Sequence, residues 1–418
     1  MPGRVHVIGA GLAGLAAALA LDPRLHGIVL HEAARHAGGR CRSYFDATLG
    51  QVIDNGNHLV LSGNEAVRHH LRTIGAEDKL TGPAEAAFDF VDLATGARWT
   101  LRPNAGPLPW WIFSAARRVP GTRWTDYLGL AGLMRAKAGA RIDSIMRCAG
   151  PLYDRLWHPL LVAALNTDPK ASSASLAGRV VRETLAKGGD ACRPLVAVDG
   201  LAEAFVDPAL QTLSGRGVEI RFDHRLRGFG FEDGQVKSLD FGEDQVEVGA
   251  EDRVILAVTA PVAQMLLPGL DAPSAFRSIV NAHFLAQAPA GQPLLVGLVN
   301  ATSEWVFNFP GRLSVTISDA DRFLETPRDE LAPLLWREVA AVTGLDPDVL
   351  PPWRIIKEKR ATFAALPEED ARRPGPVTRY TNLWLAGDWT QTGLPATIEG
   401  ALRSGRQAAE LAAAGRAA

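Results

Sequence analysis

Val5-His6-Val7-Ile8-Gly9-Ala10-Gly11-Leu12-Ala13-Gly14-Leu15 is a short apolar run that breaks into three glycines and resumes as an Ala- and Leu-rich stretch. The spacing is Gly-x-Gly-x-x-Gly. Residues 4–8 read as a buried strand and 13–21 as the helix after it. Gly27-Ile-Val-Leu-His-Glu32 is a second apolar strand that ends in an acid. A strand–helix–strand unit of about thirty residues is what a parallel crossover requires. In a dinucleotide-binding turn the first glycine permits a tight bend, the second lets the pyrophosphate approach the backbone, and the third allows close helix–strand packing. The phosphates then sit at the positive end of the helix dipole. Glu32, near the expected offset of about twenty residues, is placed to accept hydrogen bonds from ribose hydroxyls. Gly9, Gly11, Leu12, Ala13, Gly14 and Glu32 are therefore the first cofactor-binding candidates.

Two further segments extend this reading. Gly38-Gly39-Arg40 follows the acid closely, where bare glycines offer backbone donors and an arginine offers charge-assisted contacts to a pyrophosphate. An ordinary loop is the plainer alternative, and Arg42 is left open. At the far end, Leu383-Trp384-Leu385-Ala386-Gly387-Asp388-Trp389-Thr390 repeats the pattern of an apolar strand stopping at glycine and acid. Gly228-Phe-Gly230-Phe-Glu-Asp-Gly234 has the wrong final spacing for another dinucleotide loop and reads as a β-hairpin. His31 reads as a packed or solvated strand residue.

The rest of the chain bounds the answer. At 418 residues, two interleaved domains are the natural prior. A hydrophobic fraction of 47% with a net charge of -2 suits a globular enzyme and gives no basis for nucleic-acid binding. The three cysteines, Cys41, Cys148 and Cys192, are scattered, so neither a metal site nor a disulfide framework is indicated and a reducing cytoplasm fits. The apolar run Val7 to Leu21 could pass for a signal-peptide core, but its glycine spacing argues against that. We expect no targeting peptide and no transmembrane helix. Residues 85–190 change character, and helical periodicity is plausible over 125–147 and 173–187. Residues 218–249 and 280–320 carry strand-like segments, Arg253 to Val258 a returning buried strand, and 396–415 a closing helix. The expected cofactor domain is discontinuous, 1–84, 190–260 and 370–418. Residues 85–189 and 261–369 form the expected substrate domain, with a largely helical insertion.

The N-terminal fingerprint together with Gly387-Asp388 resembles the FAD-dependent amine-oxidase and phytoene-desaturase superfamily. The resemblance implies an α/β fold: a Rossmann-like FAD-binding domain and an α+β substrate domain. It implies that Asp388 reaches the ribityl–pyrophosphate region and that Thr397, Ile398, Glu399 and Gly400 start the last helix beside the isoalloxazine ring. For Glu399, an acid favoured at any helix N-terminus is the plainer account. No cysteine lies near Gly387-Asp388, so the FAD is expected to be non-covalent.

A narrower similarity rests on Ile53-Asp54-Asn55-Gly56-Asn57-His58-Leu59, on Trp157-His158-Pro159 through Asn166-Thr167, and on Leu394-Pro-Ala-Thr-Ile-Glu-Gly-Ala401. These resemble the hydroxysqualene dehydroxylases of bacterial squalene and hopanoid synthesis. The implied activity is reductive removal of an allylic hydroxyl from a long-chain isoprenoid, with hydride from reduced flavin N5. That chemistry needs a proton donor, a dry apolar tunnel and ring alignment. Asp54, His58 and Glu399 are the donor candidates, since burial raises a carboxylic pKa and an unperturbed histidine titrates near neutrality. For Asp54 a turn that satisfies local backbone groups is an equal alternative.

Trp305-Val-Phe307-Asn-Phe309 alternates aromatic residues as an isoprenoid pocket wall or any half-buried strand would. Pro107-Leu-Pro-Trp110-Trp111-Ile-Phe113, with Arg117, Arg118, Arg123 and Trp124, suits either a peripheral contact with the inner face of the membrane or a buried domain interface. Electrons for the flavin would come from a reductase or NAD(P)H. Three rival readings share the fold: a phytoene-type desaturase, an amine oxidase, and a non-enzymatic prenyl-binding protein of the Rab GDP-dissociation-inhibitor kind. The amine oxidase is weakened because no lysine occurs between Lys237 and Lys357.

Overall fold

A five-stranded parallel sheet runs in the order Glu219–Arg221, Gly27–His31, Arg4–Ile8, Arg253–Leu256, Leu383–Leu385. Its strands come from the beginning, middle and end of the chain, and the three central ones are buried beyond their first residue because both faces are covered, with His6 and His31 the polar exceptions in an otherwise apolar interior. The structure is a computed structural model describing residues 3–415. Positions 1–2 and 416–418, which close the expected segments 1–84 and 370–418, lie outside the described residues. The helix Leu12–Ala20 follows the first strand, and the long closing helix Ile398–Ala414 packs on it backbone to backbone. At the crossing, a Cβ on Gly405 would lie 2.0 Å from the carbonyl oxygen of Ala13, so only glycine permits that approach.

A second, seven-stranded sheet has the order Trp353–Phe363, Phe276–Phe284, Arg312–Ile317, Trp305–Phe309, Leu295–Val299, Phe88–Asp92, Arg98–Leu101. It is antiparallel except where Leu295–Val299 meets Phe88–Asp92. Period-2 alternation gives its two faces different tasks. Val280, Ala282, Phe284, Leu313, Val315 and Ile317 bury an apolar face against the helix Arg328–Thr343 through Leu335, Trp336 and Val339. The opposite face carries Asn281, His283, Ser314 and Thr316, all buried.

Two expectations need correction. The stretch 125–147 is not one helix: Trp124–Leu128 and Ile142–Ser144 are 3-10 turns, and only Gly129–Met134 is α-helical. Gly129, Gly132 and Gly139 weaken propagation, and Gly139 turns the chain at φ +83. The insertion is also not helical at its start. Phe88–Asp92 and Arg98–Leu101 form a hairpin that completes the second sheet, turned at Gly96 with φ +72. The helix Ala174–Glu183 falls within the expected 173–187, with Ser173 capping it through the Leu176 amide. Gly228–Glu232 pairs antiparallel with Gln235–Asp240, so that glycine-rich run is a hairpin.

Candidate functional site

A cavity of about 720 Å³ lies between the two sheets, at the carboxyl ends of the parallel strands. One end is lined by Gly9, Gly11, Leu12, Ala13, Glu32, Gly39, Arg40, Gly387, Asp388, Thr397 and Ile398. The other is lined by Trp157, Leu160, Leu161, Val262, Leu266, Trp305 and Phe307. A hollow of similar volume, about 730 Å³, around Thr48, Arg328 and Trp353 is an open surface feature that touches neither nucleotide motif.

The three glycines act differently. Gly9 has φ +105, and a Cβ there would meet the Ala257 carbonyl oxygen at 2.5 Å. A Cβ on Gly14 would lie 1.7 Å from the Gly9 oxygen, so the third glycine is needed for helix and loop to touch. Gly11 is the contrary case: a Cβ there would meet nothing within 4 Å. Its open side belongs to the cavity, as a cradle for a pyrophosphate demands. Gly38 and Gly39, both at positive φ, fold over this loop; the Gly38 amide donates to Ala10 O at 2.8 Å, and Gly39 sits against Gly11. Glu32 accepts from the Ala10 amide at 2.8 Å and the Ala34 amide at 2.9 Å. That fixes its carboxylate at the end of the second strand with lone pairs to spare for a diol.

Arg40 ties the beginning of the chain to its end, with Nη2 2.7 Å from Asp388 Oδ1 and Nη1 donating to Ala361 O at 2.7 Å. Asp388 is itself framed by the fully buried guanidinium of Arg373, which donates to the carbonyls of Asp388, Trp389 and Thr390. The glycine before it has φ +149, and a Cβ there would strike the Trp389 indole at 2.4 Å. Thr397 caps the closing helix through the Gly400 amide at 3.0 Å, aiming that helix N-terminus at the cavity. Open glycine backbone, a ribose acid, an arginine–aspartate pair and a helix N-terminus fit a dinucleotide with a ring at its far end.

The three proton-donor candidates part company. His58 lines the cavity, but burial, helped by the Arg40 charge, lowers its pKa to about 4. It is a neutral imidazole at pH 7, which corrects the expectation of a group titrating near neutrality. Glu399 also lines the cavity, yet both its oxygens are taken: Ala66 N and Val67 N donate at 3.0 Å and Arg403 Nη2 at 3.0 Å. It clamps the N-terminus of the helix Glu65–Ile74 onto the closing helix. Asp54 is buried off the cavity wall, accepting from Ser43 Oγ at 2.6 Å and Leu201 N at 2.8 Å. Its partners are distant in sequence, so the local-turn account of this residue does not hold. Burial raises its pKa.

Sequence reasoning missed the polar wall. Asn55 Nδ2 donates to Glu358 Oε2 at 3.0 Å, and Asn57 Nδ2 donates to Thr316 Oγ1 at 3.0 Å. Ser318 lines the cavity as well, and its amide donates to Glu304 Oε2 at 2.8 Å. Desolvation raises the Glu304 pKa to about 7. A signal was present: Arg312-Leu-Ser314-Val-Thr316-Ile-Ser318 alternates polar and apolar without a break. His31 is packed, at 1% exposure, between His6 (Nδ1 to Nε2, 3.1 Å) and His224 (2.9 Å), and burial takes its pKa down to about 3.

Residues 12–413 match the model of the flavin containing amine oxidoreductases. A hydroxysqualene dehydroxylase of Rhodopseudomonas palustris is 55% identical over 415 residues, covering 99% of each chain. One from Sinorhizobium fredii is 52% identical over 412 residues, again covering 99% of each. Among solved structures, a putrescine oxidase redesigned at its cofactor site superposes with a TM-score of 0.72 at 15% identity, over 98% of this chain and 99% of that one, a likeness of fold. The chain therefore belongs to the flavin-containing amine oxidoreductases, and within them to the hydroxysqualene dehydroxylase family.

Proposed function

We propose that this protein is an FAD-dependent oxidoreductase that converts hydroxysqualene to squalene. The observation that carries the reading is one continuous cavity with a nucleotide cradle at one end and an apolar chamber with a single polar wall at the other. The activity named for the full-length relatives is the one such a chamber suits. Gly9, Gly11, Leu12, Ala13, Gly14 and Glu32 would hold the adenosine and pyrophosphate end of FAD. Gly39, Arg40, Gly387, Asp388, Thr397 and Ile398 would hold the ribityl and ring end, without a covalent bond. When bound and reduced, FAD supplies the hydride equivalent.

In the net reaction the allylic C–O bond breaks, the oxygen leaves as water after taking a proton, and a C–H bond replaces it. The chain's part is to exclude water with Trp157, Leu160, Leu161 and Phe307, orient the hydroxyl, and supply the proton. Neutral His58 serves as a wall group rather than the acid. The acid we assign is Glu304, which would act through the Ser318 hydroxyl beside it. Electrons would reach the cofactor from a reductase or NAD(P)H.

Segments 1–84, 190–260 and 370–418 are taken as the cofactor domain, and 85–189 with 261–369 as the substrate domain. No helix among the described residues is long and apolar enough to cross a membrane. We place the protein in the cytoplasm, in peripheral contact with the membrane's inner face through the segment around Trp110.

The test is anaerobic: reduce the purified flavoprotein chemically, add hydroxysqualene, and follow flavin reoxidation with squalene formation. One squalene per flavin reoxidised is the expected result. Inertness toward hydroxysqualene, with reduction of the oxidised flavin by a polyene, would move the assignment to a desaturase.

A further inference from the structure

We propose that the carboxamides of Asn281 and Asn57 form a hydroxyl-recognition post, which binds the alcohol of the substrate and so distinguishes it from a hydrocarbon product. The inference rests on the dehydroxylase reading for which alcohol is bound, and on the geometry alone for the post itself.

Asn281 sits on the cavity face of Phe276–Phe284, directly across the antiparallel register from Thr316. The hydrogen bonds around it fix which end of each amide is which. The Asn57 backbone amide, which can only donate, points at Asn281 Oδ1 from 3.3 Å. The Thr316 hydroxyl donates to the same oxygen at 2.9 Å. Its proton thus committed, Thr316 Oγ1 can only accept from Asn57 Nδ2, at 3.0 Å. The orientation is self-consistent. Two groups remain: Asn281 Nδ2 and Asn57 Oδ1 are buried without any hydrogen-bond partner. Asn281 is 1% exposed.

Polar groups buried this way are normally paired, and an unpaired one needs an explanation. One donor and one acceptor on neighbouring side chains match an alcohol, which accepts and donates through a single oxygen. An ether or carbonyl could answer only the donor, and a hydrocarbon neither. Gly56 adds to the fit: a Cβ there would lie 3.1 Å from Asn281 Nδ2, so a bare backbone keeps the amide uncrowded. The apolar side of the chamber, with Trp157, Leu160, Leu161, Val262 and Leu266, suits the chain of an isoprenoid. Sites built to hydrogen-bond a hydroxyl reject the analogue that lacks it far more strongly than apolar pockets reject a size change. Once the hydroxyl has gone, the hydrocarbon leaves the post unanswered, which favours its release.

The experiment uses the oxidised holoenzyme, which does not turn over. Perturbation of the flavin absorbance is titrated with hydroxysqualene against squalene, and with geranylgeraniol against its deoxy hydrocarbon. The wild type is expected to bind each alcohol at least about tenfold more tightly than its hydrocarbon. Asn281→Leu should bring both ratios close to one by weakening the alcohols while leaving the hydrocarbons as tight or tighter. Asn281→Asp keeps the acceptor and the shape, serves if the leucine variant does not retain flavin, and should lose the preference likewise. Unchanged ratios in a flavin-loaded variant, or a wild type without alcohol preference, would overturn the post. An Asn281-dependent preference in an enzyme that never consumes hydroxysqualene would leave the post standing and sink the dehydroxylase reading. Turnover with ratios indifferent to position 281 would do the reverse.

Discussion

Glu304 shows how much chemistry a single side chain draws from its surroundings. It precedes the strand Trp305–Phe309, accepts the Ser318 amide, and has its pKa raised to about 7 by desolvation. A carboxyl in that range is protonated below neutrality and can hand a proton through Ser318 to a leaving oxygen. The sign follows directly: the acid is present below about pH 7 and is lost as pH rises through it. The rate of squalene formation should therefore fall on the alkaline side. Glu304→Gln should slow turnover by about 10²-fold, the lower end for general acid catalysis, and remove the alkaline limb. A glutamine variant with the wild-type pH profile would exclude Glu304 from proton supply. At this scale the sequence is legible only where a residue's task is set by its own backbone, as at Gly9, Gly14 and Gly387. Glu32 is readable from its offset of about twenty residues from the glycine loop, and Asp388 because it directly follows the glycine that stops its strand. Asn281 and Thr316 are not, since their meeting depends on a strand register between positions 35 residues apart.

Elements bring a second distinction, between glycines that serve packing and glycines that serve a ligand. Gly405 in the closing helix touches the Ala13 carbonyl of the first helix, and a methyl group there has nowhere to go. Gly405→Ala should cost about 3 kcal/mol of stability, the upper end for overpacking, because the obstructing atoms are all Ala13 backbone and have no rotamer to yield. Gly11 faces the cavity, where the protein offers a side chain no obstacle. Gly11→Val should leave thermal unfolding of the flavin-free protein within a degree or so, yet lower flavin content by at least about tenfold. Paired melting curves and flavin absorbance separate the two. Equal loss of stability in both variants would mean that the loop glycine is structural. The same scale explains where elements were readable. The parallel strands and the closing helix have strong apolar patterns and clear ends. The stretch 125–147 does not, because its helical period runs across Gly129, Gly132 and Gly139, each of which gives the chain a cheap way out of the helix.

Across the whole molecule, charge is unevenly shared. Residues 102–147 hold eight basic side chains (Arg102, Arg117, Arg118, Arg123, Arg135, Lys137, Arg141 and Arg147) against Asp126 and Asp143, in a chain of net charge -2. The same segment exposes Leu108, Trp110, Phe113, Trp124 and Leu128, with the Phe113 ring tilted between Trp110 at 6.2 Å and Trp124 at 5.6 Å. Just beneath, Trp111 packs edge-on to Tyr127, and Tyr127 to Trp157, which lines the cavity. The sequence offered this segment as interface or buried seam. Trp110 at 65% exposure and Trp111 at 7% divide those roles between adjacent residues. An exposed aromatic cluster set in positive charge matches an anionic bilayer surface, with each basic residue near it worth about 1 kcal/mol. We expect the protein to co-sediment with phosphatidylglycerol vesicles at least about tenfold better than with phosphatidylcholine vesicles, with the difference shrinking as salt shortens the Debye length. Changing Trp110, Phe113 and Trp124 together to serine should abolish binding to both. It should slow turnover of vesicle-borne hydroxysqualene while sparing detergent-dispersed substrate, because the cavity itself is untouched. A triple variant that binds vesicles like the wild type would show that these aromatics do not face lipid. The substrate's route into the chamber would then have to open on another face.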